Sequence, residues 1–162
     1  MQLNQSTGYA IRMLVYLAEN GGKARASTEV AAAIQVSSQA YLMRIGAKLR
    51  RAGILAAYPG YAGGYSLTRP AEEIRLYDVI LLMERTVKLH RCLEPDKDCP
   101  QKAAGACHTL RCFEGMQKYW ENFLKGVTIA DLVDGLSEEE VARRITGCGA
   151  EESKRLEAER NG

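Results

Sequence analysis

From Ser27 to Leu67 the chain runs through two helical patterns and a glycine-tipped hairpin with almost nothing between them, and that order leaves few folds open. Ser27 opens a short helix, Thr28 to Gln35, with Val30, Ala31 and Ile34 on its inward side. After Val36, Ser37 or Ser38 caps the next helix, which runs to about Ala52. Leu42, Ile45, Leu49 and Ala52 recur at i, i+3, i+7 and i+10, a core stripe. Gly53 stands where a helix-ending glycine belongs. Ile54 to Tyr58 reads as a strand, 59–64 as a glycine-rich tip, and Tyr65-Ser66-Leu67 as the return strand.

Two short helices, a tight turn and a hairpin make a winged helix-turn-helix. In that arrangement the second helix enters the major groove with its N-terminal residues facing base edges. Ser37, Ser38, Gln39, Tyr41, Met43 and Arg44 lie there. Gln pairs with adenine and Arg with guanine, while Lys48, Arg50 and Arg51 are better placed for phosphates. At the wing, Gly60, Tyr61 and Gly63 are the candidates for a close approach to a DNA backbone. The bland alternative is a solvated basic helix face. A nucleotide-binding loop is excluded, because no helix bearing Lys-Ser/Thr follows the glycines.

Charge supports the DNA reading. Residues 1–70 carry 8 Lys/Arg against 2 Asp/Glu, a net of +6, and residues 71–162 carry 14 against 18, a net of −4. A basic head on an acidic body suits a nucleic-acid module joined to a sensing or dimerising part. A helix over residues 6–19, ended by Gly21-Gly22, precedes the head. Beyond Pro70, a helix from about Leu76 to Val87 leads to a loop, and a longer helix from about Ala106 to about Gly126 follows. Leu110, Phe113, Trp120 and Leu124 stripe that helix, flanked by Met116 and Phe123, which points to packing against a second copy. A short helix begins near Thr128, and from Ser137 the chain is highly charged. The expected fold is therefore mainly α: a winged helix-turn-helix head (1–70), a cysteine-rich sensor loop with dimerisation helices (71–136), and a charged C-terminal tail (137–162).

Four of the five cysteines, Cys92, Cys99, Cys107 and Cys112, fall in one loop-like stretch, with His108 among them. Thiols so dense on a loop need a chemical reason. An iron–sulfur cluster is one. Structural zinc is a rival, although its usual close Cys-x2–4-Cys spacing is approached only by Cys107 and Cys112. A thiol switch is another, and an inert loop the last. The odd cysteine count argues against a full disulfide framework. No apolar run reaches the roughly 20 residues a membrane span needs, and the N-terminus has no signal-peptide pattern, so the expected location is cytoplasmic. Enzyme signatures are missing: there is no Ser-His-Asp set, no metal-hydrolase motif, and only two histidines. A redox or iron–sulfur accessory protein that does not bind DNA is the alternative from another class, and the +6 head argues against it.

These residues together resemble the Rrf-type family of bacterial winged-helix transcription regulators. The resemblance rests on the opening Met1-Gln-Leu-Asn with Gly8-Tyr-Ala-Ile-Arg-Met-Leu, on Tyr41-Leu42 with Leu49-Arg50-Arg51-Ala52-Gly53-Ile54-Leu55, on Gly63-Gly64-Tyr65-Ser66-Leu67, and on Thr128-Ile-Ala-Asp-Leu. It implies a homodimer built on the long helix, each head reading half of a palindromic operator. It also implies an iron–sulfur cluster (two-iron or four-iron), with Cys92, Cys99 and Cys107 as ligands. Where members of the family place a fourth ligand, this chain has Leu110 or Gly8. The fourth ligand then falls to Cys112, with His108 as the alternative. Pro59 stands where the family wing often carries Arg.

Overall fold

A computed structural model describes residues 2–60, 63–94 and 107–145. Two compact units emerge. Among the described residues, one is built from 2–86 and 127–135, the other from 87–94, 107–126 and 136–145.

The first unit is the head. Helix α1 (Gln5–Glu19) buries Thr7, Ala10, Met13, Leu14 and Leu17, one face at helical spacing. It ends as Gly21 and Gly22 turn left-handed and the Gly22 amide reaches back to the Leu17 carbonyl at 2.8 Å. Strand β1 (Arg25–Ala26) follows, then α2 (Ser27–Ala33), which ends before Gln35 takes φ of 55°. Helix α3 (Gln39–Arg51) is capped by Ser38, whose Oγ accepts from the Tyr41 amide at 3.3 Å. Its buried face is Leu42, Ile45, Gly46 and Leu49. Gly53 has φ of 69°, and the Ile54 amide bonds the Leu49 carbonyl, which closes α3 as the sequence predicts.

Strands β2 (Leu55–Ala57) and β3 (Gly64–Leu67) pair antiparallel with Leu55 opposite Leu67. Strand β1 pairs on the other edge of β3, so the sheet order is β1-β3-β2. The sequence reading has only the two hairpin strands; the third is two residues long and has no pattern of its own. Helix α4 (Leu76–Glu84) buries Val79, Ile80 and Met83 and stops at Arg85, which is left-handed. The chain returns to the head at Val127–Gly135. There the Leu76 amide bonds the Val127 carbonyl at 2.8 Å and the Ile129 amide bonds the Ile74 carbonyl at 2.9 Å. Helix α6 (Ile129–Asp134) starts on a reciprocal capping box between Thr128 and Asp131. One core joins α1, α2, α3, the sheet, α4 and α6.

The second unit contains the segment from Val87, a single 3-10 turn at Arg91–Leu93, helix α5 (His108–Gly126), and a helix over 138–145 that opens on Ser137. Among the described residues no helix is long and apolar enough to cross a membrane.

Candidate nucleic-acid interface and cysteine site

The outer face of α3 follows from its inner one. With Leu42, Ile45 and Leu49 fixed in the core, Gln39, Met43, Arg44, Lys48, Arg50 and Arg51 are all exposed, as are Ser37 and Ser38 in the turn before it. Met43 is 58% exposed and free to meet a ligand on this face. Gln39, Met43 and Arg50 lie at i, i+4 and i+11 on one stripe. They line a cleft whose opposite wall is the wing: Tyr58, Pro59, Gly60 and Gly63. Tyr41 is half-buried. Its ring meets the Tyr9 ring edge-on, with centroids 5.9 Å apart, and carries the Arg44 guanidinium 5.8 Å above it. That contact holds Arg44 beside the N-terminal half of α3.

The wing glycines divide into two kinds. Gly60 is exposed with φ of 109°, at the tip of the hairpin. Gly63 is buried, and its amide and carbonyl are used internally, bonding the Gly60 carbonyl and the Ser27 amide. A Cβ on Gly63 would collide with the Tyr58 and Gly60 carbonyls, and one on Gly64 with the Arg25 carbonyl. Close strand packing therefore requires both residues to be glycine. Gly46 does the same job on α3, where a Cβ would stand 2.6 Å from the Tyr65 ring. Tyr61 lies outside the described residues.

Of the candidate ligand cysteines, Cys92, Cys107 and Cys112 are free thiols and Cys99 lies outside the described residues, as does Cys148. Cys92 sits in the 3-10 turn, its Sγ 3.1 Å from His90 Nδ1. His90 is itself stacked flat on Phe113 of α5, centroids 4.7 Å apart. Cys107 is the residue immediately before α5, and its carbonyl accepts the Leu110 amide. A hydrogen bond from Thr109 Oγ1 (3.3 Å) is the main influence lowering the Cys107 thiol pKa, and the amides of Leu110 and Thr109 add to it. Cys112 is exposed on the first turns of α5. Because α5 begins only at His108, Cys107 is not bound to the roughly 140° helical offset from Cys112 that five residues would impose.

Among the described residues no three His, Cys, Asp or Glu side chains stand together as a metal site. The donor set does fit a thiolate-bound group in kind: free thiols at Cys92, Cys107 and Cys112, that of Cys107 with a lowered pKa.

Gln117 is the residue that sequence reasoning missed. It is only 6% exposed. It occupies the gap in the apolar stripe of α5 between Phe113 and Trp120, and a polar residue in a core position was the signal. Its Oε1 accepts the Leu89 amide at 2.7 Å, and its Nε2 donates to the Val87 carbonyl at 3.1 Å and to Glu121 at 2.8 Å. Glu121 also accepts from Lys88 at 2.9 Å. Burial pushes the Glu121 carboxyl up, but these hydrogen bonds and the Lys88 charge outweigh it and hold the pKa below the ordinary value.

Comparison with known proteins agrees with this architecture. The chain is 39% identical to protein aau3 of Rhizobium meliloti over 135 residues, covering 82% of this chain and 85% of that one. It is 31% identical to the transcriptional regulator IscR of Cereibacter sphaeroides over 135 residues, covering 82% and 87%. In fold it is similar to the oxidised form of Staphylococcus aureus CymR, with a TM-score of 0.63 at 23% identity, over 85% of this chain and 99% of that one. Residues 3–135 match the Rrf2 family, described as iron-dependent transcriptional regulators. The chain therefore belongs to the Rrf2 family and is a helix-turn-helix transcriptional regulator, not an enzyme.

Proposed function

We propose that this regulator binds a palindromic operator as a homodimer and that an iron–sulfur cluster on its cysteine loop sets its operator affinity. On the DNA side, Gln39, Met43 and Arg44 face the bases, with Ser37, Ser38 and Tyr41 beside them. Lys48, Arg50 and Arg51 take phosphates, and Gly60 and Tyr61 bring the wing tip to the backbone. The open cleft between α3 and the wing supports this assignment. Gly63 serves the reading through the packing that shapes the tip. On the dimer side, α5 buries only Gln117 and Leu124 along 19 residues and leaves Met116 51% and Tyr119 49% exposed. Apolar side chains left that open on an amphipathic helix suit a partner surface.

Cys92, Cys99 and Cys107 would hold the cluster, with Cys112 or His108 as the fourth ligand. When bound, such a group supplies a centre sensitive to oxidants, nitric oxide and iron supply. The observation that carries the reading is the position of Cys107 at the first turn of α5. A ligand there ties the state of the loop to the start of the helix assigned to dimerisation, and so to the spacing of the two α3 helices.

A second reading keeps the same head and uses oxidation of the thiols themselves. It is favoured by the exposure of Cys112 and the lowered pKa of Cys107. One experiment separates the two: purification without oxygen, a visible spectrum, and a count of iron and acid-labile sulfide. Equal iron and sulfide in a brown protein supports the cluster; a colourless protein with neither overturns it and leaves the thiol switch.

A further inference from the structure

Segment 87–93 lies along α5, held by three consecutive side chains of one helix face: Phe113, Gln117 and Glu121, at i, i+4 and i+8. The middle contact is the most specific. A primary amide both accepts and donates, so one Gln side chain can pair with a backbone N–H and a backbone C=O, as a neighbouring strand would. Gln117 does this to Leu89 and Val87, from a site with almost no access to solvent. Glu121 receives both Gln117 and Lys88 on the same oxygen, which fixes the rotamer of Gln117 from the other side. At the far end His90 stacks on Phe113 and turns its Nδ1 to the Cys92 thiol and the Cys92 amide, at 3.1 and 3.3 Å.

We propose that Gln117 and His90 are positioning residues for Cys92: Gln117 clasps segment 87–93 to α5, and His90 aims the thiol from that clasped segment. The proposal rests on the reading of Cys92 as a sensing thiol. It adds a second mechanical link between that thiol and α5, independent of Cys107. An apolar residue at position 117 would complete the stripe of α5 and release the segment; the glutamine keeps it attached.

The test is the rate of Cys92 alkylation by iodoacetamide in full-length, reduced, metal-free protein, followed by mass spectrometry. Trypsin releases Cys92 in a peptide, 92–97, that contains no other cysteine. Gln117→Met withdraws both amide contacts at similar volume. It is expected to raise the Cys92 rate roughly tenfold and to speed amide exchange at Leu89, while exposed Cys112 stays within about twofold of wild type. His90→Phe keeps a ring to stack on Phe113 but has no nitrogen for the thiol. In that variant the Cys92 rate changes while Leu89 exchange stays slow, and this variant decides the matter if Gln117→Met does not fold. A Cys92 rate unchanged in both variants, or a parallel rise at Cys112, overturns the proposal. Absence of iron and sulfide alongside the expected alkylation pattern would instead overturn the cluster and leave the clasp intact.

Discussion

Helices α1 and α5 are of similar length, 15 and 19 residues, and are held in opposite ways. Helix α1 buries Thr7, Ala10, Met13, Leu14 and Leu17, and most of the head core touches it or its neighbours. Helix α5 buries Gln117 and Leu124, and its best-defined attachments are directional: the Gln117 hydrogen bonds, an ion pair and one ring stack. Burial of apolar area is non-directional and cumulative, whereas hydrogen bonds are directional and contribute about 1 kcal/mol each in net terms. The head is therefore built to keep its shape. Helix α5 is held by a few directional contacts and leaves Met116 and Tyr119 exposed.

The largest expected effects break that contrast from the head side. Leu42→Ala removes a fully buried side chain of α3 and should cost about 2–5 kcal/mol of stability in thermal or urea unfolding. The matching change on α5, Tyr119→Ala, should move the unfolding free energy of the monomer by less than about 0.5 kcal/mol. It should weaken self-association in sedimentation instead. Equal losses of stability from the two changes would remove the distinction between the units.

A smaller effect is expected at the DNA face. Arg50→Gln and Arg51→Gln leave the core untouched. Each should lower the slope of log affinity against log salt by about one, with a similar loss on every DNA sequence. Arg44→Gln should instead relax sequence preference. If the two phosphate candidates changed specificity and Arg44 did not, the roles assigned along α3 would be reversed.

The smallest effect concerns the N-terminal clasp of the head. Glu84 accepts the Asn4 amide at 2.7 Å, the Asn4 side chain, and the Thr7 hydroxyl. Burial works to raise its pKa, but the Thr7 and Asn4 hydrogen bonds, with the Lys48 charge, hold it below 4.5. A lowered folded-state pKa means that this stability is present above about pH 4.5 and is lost as pH falls through the folded value. Solvent screening at this half-buried carboxylate limits the contribution to about 0.5 kcal/mol. Glu84→Gln should flatten the acid limb of a stability–pH curve by that amount and leave neutral DNA binding unchanged.

What the sequence made legible follows from how local each feature is. Leu42, Ile45 and Leu49 of the predicted stripe, the Ser38 cap, the Gly53 stop and the two hairpin strands depend on neighbours a few residues away, and all are found in the structure, while Ala52, the last member of that stripe, is exposed because the helix has already ended there. Strand β1 is too short for any period, and its existence depends on Gly64, forty residues on, having no Cβ. The bridge from Arg75 to Thr128, which ties Val127–Gly135 to the head, joins segments more than fifty residues apart. Gln117 was hidden for another reason. In the sequence it is only a polar gap in the apolar stripe of α5, and the structure alone shows a backbone segment lying there to receive its amide. Cys99 and Tyr61, two of the candidate site residues, lie outside the described residues.

The central claim is that the cysteine loop governs DNA binding by the head. Fluorescence anisotropy of the full-length protein, purified without oxygen, on an operator selected from a random DNA pool tests it most directly, before and after iron is removed by chelation. The account predicts that operator affinity changes by about tenfold or more while the protein stays dimeric, the 1.4 kcal/mol scale of a modest coupling between sites. The same affinity for loaded and stripped protein would contradict it.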